Sequence, residues 1–568
     1  MSKMKYCTAF LLTFGWAFTA LAQPGNLGQL ELKVTDKYKA RVGEASKVTD
    51  FPDFKDTTTS KIPVKYSIVS QPIEVKFNPD PIQPARIAKI PVDELYNGMV
   101  RVGYGLYNTP LAEAYYNSGR SSKYSYGFSG QHFSTQKGVK DIVYENNGMS
   151  RNGLKAYFNR FFDDLTWENN AYARFDKVSY YGLDVEDTTR FAGEEETPEP
   201  PSNWYRQFGI QSKLMSPNDK AMGWTRKLGI DYYFLSDDYF TQENNFKLLS
   251  SFAIPAQEET IDLDVNLNYF NTVYDSLADF DQSYFTLQMR PHIETYVKDF
   301  LFKFGLNLYY NSLSTSLSDE SDGNLYFFPE IKVSYPIVED VLTTYAGIEG
   351  HLQHNTVRSL VDENPFIDPG QFLTPTRTTD IYIGMNGIIS STTSFNLRGG
   401  FKDANGLVLF YRNPFYAFDS IDPGISVLYD DADIFYASGE LAVNLKNNLQ
   451  LNLGGTLQSF QVKNAKKAWH RPAFTAKLGA GYTIKEKIRL KADIRYVGPR
   501  VAFNQADNPL IDSDLPGYVN ANLGVEYLYN SRLSAFINVY NLLNTPYDYY
   551  LGYQAQNINV LFGIGYRF

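Results

Sequence analysis

From Asn557 to Phe568 apolar residues occupy every second position: Ile558, Val560, Phe562, Ile564, Tyr566 and Phe568. The positions between them are small or polar, Leu561 excepted. This period of two marks a strand with one apolar and one wet face. The same alternation sets Ile261, Leu263, Val265, Leu267 and Tyr269 against Asp262, Asp264, Asn266 and Asn268. It sets Ile488, Leu490, Ala492, Ile494 and Tyr496 against Arg489, Lys491, Asp493 and Arg495. From about Met99 the rhythm repeats as strand, turn, strand and loop, and predicts about 22 strands from 98–107 to 556–568. The connections fall into two alternating sets. Those at 117–120, 217–220, 255–258, 446–448, 485–486 and 529–530 are short and rich in turn residues. Those at 135–149, 183–202, 311–324, 353–379, 412–424, 499–516 and 543–555 are long. An even strand number with alternating connections puts both ends of the sheet on the short-turn side.

A soluble sandwich also alternates, but it needs a second sheet to cover its apolar faces, and none is evident. The pattern predicts an all-β chain folded as a transmembrane antiparallel up-and-down β-barrel, apolar toward lipid and polar toward the lumen. A charge facing lipid at the midplane costs ~2–4 kcal/mol. The charged rows are therefore expected to face the lumen: Asp262, Asp264, Asn266 and Asn268 on one strand, and Arg489, Lys491, Asp493 and Arg495 on another.

The N-terminus carries Lys3 and Lys5, an apolar run from Thr8 to Leu21 and the small-residue site Ala20-Leu21-Ala22, the layout of a signal peptide over 1–22. Residues 23–97 are broken by prolines and predict a short extended periplasmic segment; the barrel is expected over 98–568. No other apolar run reaches roughly 18 residues, which excludes helical membrane spans. Cys7, the only cysteine, lies in the leader, so the rest of the chain offers no disulfide or thiolate chemistry. An excess of 63 acidic over 53 basic residues argues against nucleic acid as a partner. The five histidines include His351 and His354, which a strand would point to opposite faces, a poor metal geometry. None of the G-x-S-x-G, H-E-x-x-H or phosphate-loop patterns occurs, so no enzymatic activity, cofactor or metal site is expected. The acidic stretch Glu194–Glu196 reads as a solvated loop.

The end of the chain, NVYNLLNTPYDYYLGYQAQNINVLFGIGYRF from Asn538 to Phe568, resembles the carboxyl end of the TonB-dependent outer-membrane receptors. The matching residues are Asn541, Leu542, Leu543, Asn544, Tyr547, Gly552, Tyr553, Gly563, Gly565, Tyr566 and Phe568. Gln554–Asn557 stands where that family usually has Pro-Gly-Arg. The segment 23–97 is shorter than the family's plug, and its only approach to a TonB box is LELKV at 30–34, so coupling to TonB is doubtful. The resemblance implies a barrel of about 22 strands in the Gram-negative outer membrane, in contact with lipid and lipopolysaccharide. It implies assembly by the barrel assembly machinery reading Ile564, Tyr566 and Phe568. A 22-stranded barrel without a plug has a wide lumen. The expected role is transport of a polar solute, porin-like. The alternative is a structural or assembly subunit that holds a periplasmic or surface lipoprotein partner.

Overall fold

The computed structural model describes residues 96–568 except 141, 143, 145, 183–198, 217–222, 258, 276–279, 413–423, 446–447 and 505–510. The side chains of 319, 320, 504 and 511 are also not described. The signal segment, all but the last two residues of 23–97, and Glu194–Glu196 lie outside the described residues.

The strands in chain order are β1 (Gly98–Gly105), β2 (Thr109–Asn117), β3 (Tyr124–Thr135), β4 (Met149–Phe161), β5 (Thr166–Ser179), β6 (Ser202–Met215) and β7 (Thr225–Ser236). They continue as β8 (Thr241–Ala256), β9 (Glu259–Tyr274), β10 (Phe280–Val297), β11 (Phe300–Thr315), β12 (Ser318–Val338) and β13 (Leu342–Gln353). A short helix, α1 (Val357–Glu363), precedes β14 (Thr376–Ser390), β15 (Thr393–Arg412), β16 (Ile425–Leu445), β17 (Leu449–Val462), β18 (Phe474–Ile484) and β19 (Ile488–Val497). Then come β20 (Arg500–Asn504), β21 (Ile511–Leu515), β22 (Tyr518–Leu528), β23 (Leu533–Tyr540), β24 (Asp548–Tyr550), β25 (Tyr553–Gln554) and β26 (Asn559–Arg567).

Twenty-two of these strands form one closed antiparallel ring. β1 to β19 pair in succession, β19 pairs with β22, β23 pairs with β26, and β26 pairs with β1. Two hairpins sit in loops instead: β20–β21, which touches the ring by one parallel contact at Arg412 and Asn504, and β24–β25. Closure is the only way a sheet can satisfy every backbone group inside a bilayer. The seam uses the last residue of the chain. Gly98 N donates to Phe568 O at 2.9 Å, and Phe568 N donates back to Gly98 O at 3.0 Å. A Cβ at position 98 would meet the Phe568 ring at 2.3 Å, so a larger residue there would push that ring aside.

The expected strand number, the alternation and the side of each connection agree with this ring. Two hairpin turns carry their sequence chemistry openly: Lys485 and Glu486 have φ of 47° and 56°, and Tyr107 and Asn108 have φ of 59° and 52°, the left-handed pair that a tight hairpin needs. One expectation is corrected. The long loop at 311–324 does not exist; β11 and β12 keep pairing through a bulge to Thr315 and Ser318 and leave Ser316-Leu317 as the connection. The run of Ser, Asp and Gly there reads as loop, but the ladder to the neighbouring strand continues through it.

The apolar positions of the terminal strands face outward. Val102, Tyr104, Phe562, Ile564, Tyr566 and Phe568 are exposed, whereas Leu561, on the opposite face of β26, is completely buried. A continuous apolar exterior is foreign to a monomer in water and suits lipid. Ile564→Arg is therefore expected to destabilise the barrel by ~2–4 kcal/mol in lipid vesicles, read as a lowered denaturant midpoint. An unchanged midpoint would place residue 564 away from the membrane.

Candidate functional site

A ring this wide leaves a hole, and one segment of the chain reaches across one end of it. The segment 354–375 between β13 and β14 carries α1 and turns back onto the wall. Thr356 begins the helix as a capping box, its hydroxyl accepting from Ser359 N at 3.1 Å while Ser359 Oγ accepts from Thr356 N at 2.8 Å. The next two amides reach a wall residue. Val357 N donates to Glu243 Oε2 at 2.7 Å and Arg358 N to Glu243 Oε1 at 3.3 Å. Tyr233 OH, at 2.8 Å, and Thr272 Oγ1, at 3.3 Å, donate to the same carboxylate. Glu243 is 0% exposed, and a buried carboxylate is stable only when its oxygens are filled in this way.

The rest of the segment is tied to both sides of the ring. Arg358 donates to Tyr172 OH at 2.9 Å and lies over the Tyr233 ring, and Asp362 pairs with Arg174 on β5. Glu363 takes Arg471 at 2.7 Å and, through its carbonyl, Tyr550 OH at 3.0 Å. Asp368 N donates to Ile425 O at 3.0 Å and Ile425 N to Phe366 O at 3.1 Å, on β16. β5 and β16 are eleven strands apart in a ring of 22, so Asp362 and Asp368 reach opposite walls. Leu373 closes the segment onto β10: its N–H donates to Gln282 Oε1 at 3.0 Å, and its carbonyl accepts from Tyr284 OH at 2.8 Å.

Apolar burial fixes the same segment. Leu360, Phe366, Ile367 and Leu373 join Tyr180, Tyr205, Phe270, Phe410, Ile425 and Tyr553 in one core at the mouth. Phe366 stacks on Tyr553 at 3.8 Å. Each such side chain contributes on the order of 1.5–3 kcal/mol relative to exposure. The sequence resemblance had marked Tyr553 as part of a receptor-like loop; the structure makes it the stacking platform for the cap.

Two loop histidines pack with this layer, His470 buried and His354 partly so. His354 packs between Phe270 and Tyr284, 2.7 Å from Thr286 Oγ1; burial, with Lys247 nearby, pulls its pKa down to about 4. Burial pulls His470 down to about 3, helped by the charges of Arg500 and Arg471. His351 stays on β13, and among the described residues no cluster of three His, Cys, Asp or Glu side chains suited to a metal is formed.

The residues expected to line the lumen are found as follows. Asp262, Asp264, Asn266 and Asn268 share the face of β9 that carries Phe270 and Thr272, the face that touches the cap. Asp262 meets Arg226 at 3.2 Å, Asp264 meets Arg290 at 3.6 Å, Asn266 donates to Gln288 at 3.0 Å, and Asn268 accepts from Asn245 at 3.1 Å. Arg489 pairs with Glu526 at 3.5 Å, which also meets Arg567 at 3.8 Å. Lys491, Asp493 and Arg495 are exposed on β19, facing Gly524, Asn522 and Asn520 in the ladder. The two charged rows are not brought together. Sequence reading missed the denser clusters, Arg290–Glu330–Lys303 and Arg398–Asp380–Glu349. Each member sits on a polar position of an alternating strand, but the partners come from different strands. It also missed α1 and Glu243: a seven-residue helix with a Thr-x-x-Ser start leaves little periodicity to find.

No family model and no curated protein matches the chain, but solved structures do. The FrpB iron transporter from Neisseria meningitidis (F3-3 variant) superposes with a TM-score of 0.63 over 84% of this chain and 82% of its own, at 12% identity. The pyoverdine outer membrane receptor FpvA from Pseudomonas aeruginosa PAO1 gives 0.62 over 84% and 79%, at 12% identity. The ferric-catecholate import receptor Fiu from E. coli K12 gives 0.57 over 83% and 82%, at 12% identity. The resemblance carried by 538–568 thus extends, as a fold, across the whole barrel: the chain has the barrel architecture of the TonB-dependent receptors.

Two outcomes follow for the mouth. Glu243→Ala removes the acceptor of two helix amides and two hydroxyls, an effect on the order of 1–3 kcal/mol for each group left unpaired. Trypsin is expected to cut after Arg358 in this variant at least ten times faster than in the wild type; equal rates would detach the cap from Glu243. The histidines set a pH dependence. In the unfolded chain each binds a proton near pH ~6.5, whereas in the fold they resist protonation to pH about 4 and about 3. Between these values the unfolded state holds more protons, so stability falls as pH drops from ~6.5 toward ~4. The denaturant midpoint should fall over this range, and fall less in His354→Gln.

Proposed function

We propose that this barrel is an outer-membrane conduit for a polar solute, held shut at its outer mouth by the segment 354–375. The observation that carries this reading is the cap itself: one short segment, anchored on Glu243 and on both walls, spans a lumen with charged walls. Short turns at the other rim orient the capped end outward, since barrels of this type keep short turns in the periplasm. We assign Asp262, Asp264, Asn266, Asn268, Arg489, Lys491, Asp493 and Arg495 to the lining of the passage. Rows of both signs, with Asp262, Asp264 and Arg489 ion-paired, suit a polar or charged solute and repel an apolar one.

The fold neighbours support a role in uptake: FrpB is described as an iron transporter and Fiu as a ferric-catecholate import receptor. The exposed row Ile564, Tyr566 and Phe568 at the seam is proposed as the strand end that the barrel assembly machinery reads. A secreted precursor with a cleaved leader over 1–22 completes the route to the outer membrane.

Conductance in planar bilayers tests the reading. The wild-type barrel should show small, infrequent steps. A variant in which 357–373 is replaced by a short Gly/Ser linker should show large, steady ones. A correctly inserted linker variant that stays silent would contradict a conduit and favour a structural subunit.

A further inference from the structure

The capped rim holds a recess outside the core of the cap. A cavity of about 650 Å³ opens between the loop 463–473 and the hairpin β20–β21. Lys466, Lys467, Arg471 and Arg500 line it, against the single carboxylate Asp514. The lysines share one counter-ion, Asp512, at 3.2 and 3.7 Å, which also accepts from the Trp469 indole at 3.3 Å. Arg471 has Glu363.

Arg500 differs from the others. It is only 6% exposed. Its two terminal nitrogens donate to the backbone carbonyls of Tyr549 and Asp548, both at 2.5 Å, and its Nε has no acceptor among the described residues. No described carboxylate lies within ion-pair distance of it. His470 beside it is buried and stays neutral, its pKa held down by burial and by these same arginines, so it offers no compensation. Asp548 attracts Arg500 only from beyond ion-pair distance, so of the four cations the buried one is the one without a direct carboxylate partner.

A buried guanidinium without a direct ion pair is costly, and an anion at its side relieves that cost where the dielectric is low. Guanidinium also matches oxyanions by shape, and Lys466, 73% exposed, can swing toward a guest. We propose that this cavity is a binding site for the oxyanion group of an acidic solute, a phosphate or a carboxylate, with Arg500 as the buried anchor and Lys466 and Lys467 as the outer grip. The site stands apart from the conduit reading: a barrel without conductance leaves it intact.

The test is calorimetric titration of the full-length barrel in detergent with pyrophosphate. Saturable binding of one pyrophosphate per barrel is expected, weakening as salt is raised. Lys466→Gln with Lys467→Gln should weaken it at least tenfold while the barrel stays folded. Arg500→Lys, which keeps the charge but loses the fork, should weaken it as well, and Lys123→Gln at the other rim should leave it unchanged. Displacement by phosphatidate-doped micelles would mark a lipid headgroup as the natural source, and displacement by soluble phosphates alone a free solute. Absence of saturable binding in the wild type, or affinity unchanged in the double lysine variant, overturns the proposal.

Discussion

A sheet that crosses a bilayer must leave no edge, and that constraint governs everything else in this molecule. It makes the last residue of the chain hydrogen-bond to Gly98, because the ring closes only if β26 reaches β1 along its full length. It also sets the width. Twenty-two strands satisfy the backbone, but they enclose more space than their own side chains can fill. Many apolar side chains that would build a core in a soluble protein point outward to lipid, and the largest buried apolar cluster among the described residues lies at the mouth.

The mouth holds the largest of the apolar clusters among the described residues. Aromatic and aliphatic residues from β5, β6, β9, β10, β15 and β16 converge there on Leu360, Phe366, Ile367 and Leu373. Apolar contact alone does not choose the position of a loop, since many placements bury four side chains. Glu243 supplies the choice. A fully buried carboxylate tolerates only arrangements that fill its oxygens, and the amides that open α1 fill them together with Tyr233 and Thr272. The ion pairs of Asp362 and Glu363 then fix the far end of the helix against β5 and the loop at Arg471.

Much of this was legible in the chain. Alternation gave the strands, turn chemistry gave the short connections, and their regular succession gave the side on which each lies. Those are local signals. The loss of the expected loop at 311–324 shows their limit, because polar residues such as Asp322 and Asn324 still pair with Leu313 and Asn311 when a neighbouring ladder carries them. The cap was beyond reach for the same reason. Glu243 and Val357 are 114 positions apart, Tyr180 and Ile367 are 187 apart, and no periodicity records such contacts. The lumen rows stand between these cases: the polar face of β9 was plain, but the partners Arg226 and Arg290 were not.

The central claim is that 354–375 is a folded bridge across the mouth and not a loop in solvent. Residue-resolved hydrogen exchange on the barrel in detergent reads this directly. The amides of Val357, Asp368 and Leu373 donate to Glu243, Ile425 and Gln282, on three separate strands of the wall. Exchange of all three slower than an open loop by at least a hundredfold, and slowed together, is the result this account predicts. Exchange at the rate of an unstructured peptide at these amides would contradict it.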